Sequence, residues 1–188
     1  MHQLLNSAGA AHVRTATLAD WPLIERFHRS CSEQALYRRW GRTRITRRDI
    51  ERLLDHSSCW IALQAADEVV ALASAGPVSR EPGVFDLGLQ VADVHQRRGI
   101  GLALAWHAAA RARSRGGHTF SVHAEVSNLP MLGLVRCLGH PTGVRHEGTH
   151  IGVRVPLTGE GAVQPHVPRP KGDLLAAHHT ADESTDQP

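Results

Sequence analysis

Aromatic residues and lysine are nearly missing from this sequence. Phe, Trp and Tyr make up 4% of the 188 residues, so Leu, Val, Ile and Ala have to form most of the core. Twenty of the 21 basic residues are arginine, and Lys171 is the only lysine. Hydrophobic residues nevertheless amount to 41%, which is enough for an ordinary buried core and excludes a wholly disordered chain. The length suits one domain with an additional segment.

Cysteines and long apolar runs are also scarce. The three cysteines, Cys31, Cys59 and Cys137, are far apart and odd in number, which excludes a disulfide framework and a CxxC pair. A reducing, cytoplasmic location is therefore expected. No apolar run approaches the roughly 18–20 residues that a membrane span needs, and residues 1–11 lack the charged start and apolar block of a signal peptide.

Histidine is abundant, but its spacing is not that of a metal site. The 14 histidines are scattered along the chain. His140, His146 and His150 are near one another, yet the sequence contains no HExxH motif and no Cys/His zinc spacing. We therefore expect no metal ion.

Charge is unevenly distributed along the chain. Counting Lys and Arg against Asp and Glu, residues 1–157 carry a net charge of +6 and residues 158–188 a net charge of −3. The positive part favours an anionic partner such as a nucleotide cofactor, an acidic protein or nucleic acid, although an ordinary solvated surface can have the same charge. We expect a domain over residues 12–157, a flexible N-terminus over 1–11 and a disordered tail over 158–188.

Apolar periodicity predicts an α/β domain. Capping-box patterns at Thr17–Asp20 and Thr46–Asp49 predict two helix starts. Residues 84–91 alternate between apolar and polar positions, which predicts a strand, and a Gly-rich turn and an Ala/Leu-rich helix over 100–115 follow it. Further strands are predicted at 13–16, 59–64, 69–75, 119–124, 144–146 and 151–155, and further helices at 33–40 and 128–138. This order predicts a mixed sheet with helices packed on it.

The segment between that strand and that helix, residues 96–101 (QRRGIG), has the character of a phosphate-binding loop. Glycines let the backbone approach a ligand closely, and free N–H groups at a helix start favour a phosphate. Arg97 and Arg98 add positive charge at the same point. The spacing is neither that of a Walker loop nor that of the GxGxxG dinucleotide motif. A tight turn with solvated arginines is the alternative interpretation.

This segment resembles the [Gln/Arg]-x-x-Gly-x-[Gly/Ala] signature of the GNAT (Gcn5-related) N-acetyltransferases. The similarity extends over roughly residues 12–157 and includes the strand before the loop, the helix after it, and Asn128 and Gly139 downstream. The stretch Ser32–Trp40 is also similar to the opening helices of GNAT domains in bacterial protein-lysine acetyltransferases. The resemblance implies an acetyl-CoA-dependent enzyme with a single α/β domain and a mixed, mostly antiparallel twisted sheet.

The resemblance also implies where acetyl-CoA binds. The strand ending near Val91 is expected to supply a backbone N–H to the thioester carbonyl and to pair with the pantetheine arm, in a slot opened by the strand at 119–124. Asn128 is expected to contact that arm, although an N-cap role explains this residue equally well. The residues expected to hold the pyrophosphate are Gln96, Arg97, Arg98, Gly99, Ile100, Gly101 and Leu102.

Asp86 is the candidate general base, because related domains often have a Glu at this point of the strand. Its carboxylate would take the proton of the acceptor ammonium, directly or through a water molecule. The alternative is that Asp86 is only an outward-facing polar position of an alternating strand.

The sequence departs from the family where the general acid is expected. Many members have a Leu-Tyr-x-x-x-Gly pattern, but residues 134–139 are LVRCLG, so Val135 stands in place of the Tyr. Tyr37 is far upstream, and Cys137 is expected to pack as a small apolar residue. Two functions are therefore considered: acetyl transfer from acetyl-CoA to a primary amine of a protein lysine or a small molecule, and a catalytically weak acyl-CoA-binding module with a regulatory or scaffolding role.

Seven arginines lie between Arg38 and Arg52. They suit either an acidic acceptor or partner, or a solvated pair of helices. No aromatic platform and no DNA-binding motif accompanies them, so we expect no nucleic-acid partner. Trp40 and Trp106 are expected to be packing residues. The acceptor amine and the oligomeric state stay open.

Overall fold

Eight strands and five α-helices make up the part of the chain that the computed structural model describes, residues 3–4, 11–64 and 67–157. The strands are β1 (Gln3–Leu4), β2 (Ala11–Thr15), β3 (Ser58–Gln64), β4 (Glu68–Pro77), β5 (Val84–Val91), β6 (Thr119–Glu125), β7 (Gly143–Glu147) and β8 (His150–Pro156). The helices are α1 (Trp21–Ser30), α2 (Glu33–Trp40), α3 (Arg47–His56), α4 (Ile100–Arg113) and α5 (Leu129–Leu138).

All eight strands form one sheet, in the order β1-β2-β3-β4-β5-β6-β8-β7. Every neighbouring pair is antiparallel except β5 and β6, which run parallel and pair only over Val84–Asp86 and Thr119–Ser121. This confirms the predicted single α/β domain with a mixed, mostly antiparallel sheet. The predicted strand at 84–91 has the observed bounds. The observed strands that correspond to the other six predictions are one to three residues longer than predicted, and β1 was not predicted.

The predicted capping boxes form, and they set where the N-terminal helices begin. The Thr46 hydroxyl accepts a hydrogen bond from the Asp49 backbone N–H at 3.4 Å, and the Asp49 carboxylate accepts one from the Thr46 N–H at 2.9 Å. Thr17 and Asp20 make the equivalent pair around a short 3-10 turn at Leu18–Asp20, which leads directly into α1. Each box satisfies N–H groups that have no partner within the helix.

The two faces of the sheet bury two separate cores. On one face α4 and α5 cover a core that includes Leu104, Phe120 and Val155. On the other face α1–α3 cover a core that includes Ile24 and Ile50. Trp106 packs against the first core and Trp40 against the second, as the sequence predicts for both. Because successive strand residues point to opposite faces, the central strands β3 and β4 contribute to both cores.

The predicted terminal segments fall mostly outside the described residues. The tail expected over 158–188 lies outside them entirely, as do residues 1, 2 and 5–10 of the expected flexible N-terminus. The remaining N-terminal residues include Gln3 and Leu4, which pair with His12 and Ala11 as the edge of the sheet.

Candidate active site

A groove opens where β5 and β6 diverge. The two strands pair as far as Asp86 and Ser121 and then separate, which leaves the second half of β5 without a partner on that side. The groove has a volume of about 870 Å³ and runs from α2, past the end of β5, to the start of α4 and to α5. A volume of this size is typical of a small-molecule site. The predicted slot between these strands is therefore present.

The unpaired half of β5 offers backbone N–H groups to this groove. The Ala92 N–H donates to the Val70 carbonyl of β4 at 3.0 Å. Peptide groups alternate in direction along a strand, so the N–H and C=O groups of Leu89 and Val91 point away from β4 and toward the groove. The Gln96 side-chain amide confirms this direction for Val91, because its Nε2 donates to the Val91 carbonyl at 3.2 Å. A carbonyl oxygen or an extended ligand has hydrogen-bonding groups available there.

The start of α4 closes one end of the groove. Gly99 is its N-cap, with φ of 79°, and Arg97 is also in the left-handed region with φ of 59°. Gly101 lies against β5: a Cβ at residue 101 would be 3.2 Å from Val91 Cγ2 and 3.3 Å from Leu89 Cδ2. The helix can therefore approach the strand closely, and its first N–H groups, which have no acceptor within the helix, favour an anion at this end.

Most of the residues predicted to hold the cofactor line the groove. They are Val91, Gln96, Arg97, Gly99, Gly101, Leu102 and Asn128. Two do not: the Arg98 side chain is exposed outside the groove lining, and the Ile100 side chain is buried in the core under α4. For Ile100 only the backbone at the start of the helix is placed to contact a ligand. The cofactor contacts themselves stay predictions.

Asn128 caps α5 and lines the groove at the same time. Its Oδ1 accepts a hydrogen bond from the Met131 N–H at 3.3 Å, which is the N-cap arrangement. The residue is half-buried at the mouth of the groove. The capping interpretation is therefore confirmed, and it leaves the side-chain amide group next to the space where the cofactor arm is expected.

Strand alternation divides the groove into two halves of different character. Leu87, Leu89 and Val91 point to the side of α4 and α5, so that half is apolar with a helix N-terminus at its end. Asp86, Gly88 and Gln90 point to the side of α2, where Arg39 and Trp40 meet them. On β6 the residues on the α2 side are Ser121, His123 and Glu125, because Phe120, Val122 and Ala124 belong to the opposite core.

The α2 half of the groove carries charges of both signs. Arg38 of α2 and Glu125 of β6 form an ion pair across it, at 3.4 Å between Nε and Oε2. Asp86 lies on the same side, with Oδ1 4.0 Å from His123 Nδ1. An acceptor with a cationic or polar group finds partners here, whereas the α4 half suits an apolar arm that ends in an anion.

Asp86 has the properties of a base that water can reach. Burial among the groove walls raises the pKa of its carboxyl above the ordinary 3.8, and the positive charges of Arg39 and His123 oppose that rise. The side chain is nevertheless 56% exposed, so the carboxylate meets solvent on its groove side. The raised pKa makes Asp86 a better proton acceptor than a free aspartate.

Arg39 lies beneath the strand next to Asp86. Its guanidinium occupies the space beside Gly88 where a side chain at that position would be, and its Nη2 donates to the Ser74 hydroxyl at 2.8 Å. The guanidinium also stacks on the Trp40 ring, 4.8 Å from the ring centroid. Burial lowers the pKa of Arg39, while the charge of Asp86 acts in the opposite direction. Arg39 therefore supplies fixed positive charge close to the candidate base.

Arg39, Gly88 and His123 are site residues that sequence reasoning does not single out. The only signal for Gly88 is a glycine inside an otherwise regular alternating strand, a position that often marks a close approach of other atoms. Arg39 is hidden within the arginine-rich stretch. In that stretch, Arg42 pairs with Asp49 and Arg47 with Glu51 on the exposed surface, as expected of solvated helices, whereas Arg38 and Arg39 turn into the groove.

No side chain replaces the missing tyrosine at its expected position. Val135 is 2% exposed and belongs to the core under α4 and α5. Tyr37 is exposed and does not line the groove. The expectation that Cys137 packs as an apolar residue is wrong: it is exposed. Val135 and Leu138 take the inward positions of α5, and helical periodicity turns Cys137 outward.

Metal-binding and membrane-spanning features are absent from the described part of the chain. Within residues 3–4, 11–64 and 67–157, no three His, Cys, Asp or Glu side chains converge as a metal site. Within the same ranges, none of the helices has the length and apolar character needed to cross a membrane.

A sequence model of the Acetyltransferase (GNAT) family matches residues 18–140. The match covers about two thirds of the chain and includes α2, β5, the loop and α4, which form the groove. The chain belongs to the GNAT acetyltransferase family. This confirms the family named from the loop and its strand–helix context. Among curated proteins, no significant match to this chain is found.

Solved GNAT structures share the fold at low sequence identity. The GNAT domain of S. lividans PAT matches with a TM-score of 0.70 and 23% identity, over 79% of this chain and 91% of that chain. The ribosomal-protein-S18-alanine N-acetyltransferase of Escherichia coli matches with a TM-score of 0.61 and 18% identity, over 80% and 97%. The structure of yncA from Salmonella typhimurium holds its cofactor acetyl-CoA. It matches with a TM-score of 0.62 and 19% identity, over 81% of this chain and 96% of that chain.

Proposed function

We propose that this GNAT protein is an N-acetyltransferase that moves an acetyl group from acetyl-CoA to a primary amine by direct attack in a ternary complex. The single observation that carries this proposal is the divided groove. One half has an apolar wall and a helix N-terminus, and the other half has an ionisable carboxylate, Asp86, with the unpaired strand edge of β5 between them. These are the features that a thioester and an amine need in order to meet.

The α4 half holds the acyl donor. The N–H groups at the start of α4 and the Arg97 side chain bind the pyrophosphate, with Gln96, Gly99 and Gly101 shaping the loop and Leu102 on the groove wall. Arg98 and the Ile100 backbone act at the same end. The pantetheine arm lies along Leu89 and Val91, and Asn128 contacts it from α5. This assignment is supported by yncA, a structure of similar fold that contains acetyl-CoA.

The α2 half holds the acceptor amine. Asp86 removes a proton from the acceptor ammonium, directly or through a water molecule, since an ammonium has no lone pair with which to attack. The N–H groups of Leu89 and Val91 donate to the thioester oxygen as it gains negative charge. Acceptors with a charged or polar neighbourhood, such as a protein lysine or a hydrophilic small amine, suit the mixed charges of this half. No metal ion takes part in the steps assigned to these residues.

We propose that the protein acts in the cytoplasm of a bacterium and binds neither nucleic acid nor a membrane. The three cysteines are free thiols in the described structure, and two of them, Cys31 and Cys59, are buried. Burial raises the pKa of both thiols to about 12, so they remain protonated and unreactive. A reducing compartment is compatible with this state.

The second candidate function is a catalytically weak acyl-CoA-binding module with a regulatory or scaffolding role. Val135 favours it, because the buried valine removes the side-chain acid that many family members have at this position. The two functions differ in one measurement. Acetyl-CoA is mixed with a panel of amines that includes lysine peptides, and thiol release is followed. Turnover that exceeds the rate without protein supports the enzyme, whereas acetyl-CoA binding without turnover on any amine supports the module.

A further inference from the structure

His123 is the one imidazole that faces Asp86 in the groove of the described structure. It lies near the middle of β6, on the α2 side of the sheet, and is 59% exposed toward the groove. The Asp86 carboxylate lies opposite it, at 4.0 Å between Nδ1 and Oδ1. That distance is too long for a hydrogen bond between the two side chains. It is short enough for one nitrogen atom placed between them to lie within hydrogen-bond distance of both.

A glycine on the neighbouring strand leaves room for this imidazole. Gly152 of β8 pairs with His123, and a Cβ at residue 152 would be 3.3 Å from His123 Nε2. A side chain at residue 152 would therefore require the ring to shift by a few tenths of an ångström. Gly152 thus leaves room for the imidazole on the side of β8, and the groove leaves room on its other side.

We propose that His123 is a second catalytic residue, which acts together with Asp86 on the acceptor amine. This inference rests on the proposed acetyltransferase function and adds a proton path to it. The acceptor ammonium binds between the imidazole and the carboxylate. A neutral histidine is a suitable base at neutral pH, and the Asp86 carboxylate lies 4.0 Å from it.

The two groups account for both protons that the nitrogen loses. Asp86 takes the first proton from the ammonium and later releases it to water, and the free amine forms the C–N bond to the thioester carbon. The C–S bond then breaks, and sulfur leaves with the electron pair. His123 takes the second proton from nitrogen, and the imidazolium that results protonates the thiolate. Val135 cannot supply that last proton, so this path fills the role left open by the missing tyrosine.

Other charged side chains lie on the same side of the sheet as His123. From α2, Arg38 and Arg39 line the same groove, and on β6 itself Glu125 is on the same face. On β7, Arg145 is on the same face across Gly152. Arg38 is paired with Glu125, and Asp86 is the carboxylate that faces the imidazole.

The test compares His123→Ala with His146→Ala. His146 is an exposed residue of β7 outside the groove lining. For His123→Ala we expect kcat to fall about 100-fold or more, the usual contribution of a general acid–base group, with acetyl-CoA affinity within about twofold of the wild type. Added imidazole should restore a measurable part of the rate. Because the two groups act as one unit, the Asp86→Asn/His123→Ala double variant should lose much less than the product of the two single losses.

Two failures are distinguishable in this design. A wild type that binds acetyl-CoA but turns over no amine overturns the acetyltransferase proposal, and the His123 role with it. If the wild-type protein acetylates an amine and the kcat of His123→Ala is within twofold of the wild-type kcat, only the His123 role is overturned. The His123 role is also overturned if added imidazole does not restore the rate of His123→Ala and the loss in the double variant equals the product of the two single losses. Such a loss of rate would be structural.

Discussion

The guanidinium of Arg39 occupies the space beside Gly88 that a side chain on this strand residue would fill. The two residues are far apart in sequence, on α2 and β5, and their contact depends on the absence of a Cβ. The contact holds Arg39 against the sheet, where Ser74 accepts its hydrogen bond at 2.8 Å, and keeps its charge close to Asp86. A glycine in mid-strand is thus explained by the arginine beneath it.

Gly88→Ala is expected to displace Arg39 and to destabilise the protein by about 1–3 kcal/mol, the usual cost of overpacking. The rate should fall as well, because the positive charge next to Asp86 moves. Urea unfolding and steady-state kinetics measure the two effects. Gly143→Ala is the matched control: its Cβ would make ordinary contacts with Arg154 at 3.5 Å, outside the groove. Equal stability of the two variants would contradict the packing argument.

Asp86→Asn is expected to lower kcat about 100-fold or more while acetyl-CoA affinity changes less than about twofold, since the residue faces the α2 half of the groove. Asp55→Asn, on the exposed surface of α3, is the control and should match the wild type. A steady-state assay of thiol release measures kcat, and calorimetric titration with acetyl-CoA measures the affinity. Undiminished turnover in Asp86→Asn would remove this residue from the mechanism.

The acid side of the pH profile follows from the direction of the Asp86 pKa shift. Burial raises that pKa above the ordinary 3.8, so the carboxylate is protonated, and inactive as a base, at a higher pH than a free aspartate would be. We expect kcat/KM to decline on the acid side at pH values above 3.8, provided the fold is intact there by circular dichroism. A rate that holds down to pH 3.8 in folded protein would argue against Asp86 as the base.

Arg97→Ala is expected to weaken acetyl-CoA binding roughly fivefold to tenfold, through the loss of a charged partner for the pyrophosphate. Arg98→Ala should have a smaller effect, because its side chain lies outside the groove lining while that of Arg97 lines it. Calorimetric titration with acetyl-CoA at low and high salt measures the affinity of both variants. Added salt should reduce the difference in acetyl-CoA affinity between Arg97→Ala and the wild type. Equal losses for the two variants would indicate that both arginines reach the cofactor.

His28 is expected to make stability depend on pH. It is 4% exposed between the Phe27 and Trp40 rings, and burial lowers its pKa from 6.5 to about 4. The unfolded chain therefore binds a proton between pH 6.5 and 4 that the folded chain does not. Stability should fall as pH drops through this window, by up to about 3 kcal/mol from this residue.

The variant His28→Leu should lose this part of the pH dependence, whereas the exposed control His146→Gln should keep it. Urea unfolding at pH 7 and at pH 4.5 provides the measurement. If the wild type and His28→Leu lose the same free energy between these two pH values, the buried neutral histidine is not the source.

Local patterns predicted much of the fold and one half of the candidate site. The alternation of β5, the capping boxes at Thr17 and Thr46, and the glycines at 99 and 101 are properties of residues close in sequence. Dihedral preferences and helix capping act over the same short range, so these predictions match the observed elements. The groove-lining positions of Val91, Gln96 and Arg97 follow from the same strand–loop–helix unit.

The α2 half of the site was not predictable in this way. Nothing in the order of residues distinguishes Arg39 from its neighbours in an arginine-rich stretch, and His123 is one of 14 histidines. Their importance comes from β6 turning His123 toward Asp86 and from α2 placing Arg39 under Gly88. Cys137 shows the same limit, because its exposure depends on which side of α5 meets the sheet.

By itself, then, the sequence determined the family, the order of the elements and the loop at the start of α4, since each depends on residues within one short segment. The tertiary structure decided how far β5 and β6 stay paired, which half of the groove each side chain faces, and that Asp86, His123 and Arg39 meet. Those contacts join segments more than 30 residues apart, and their free energy comes from packing in two separate cores that no local pattern encodes.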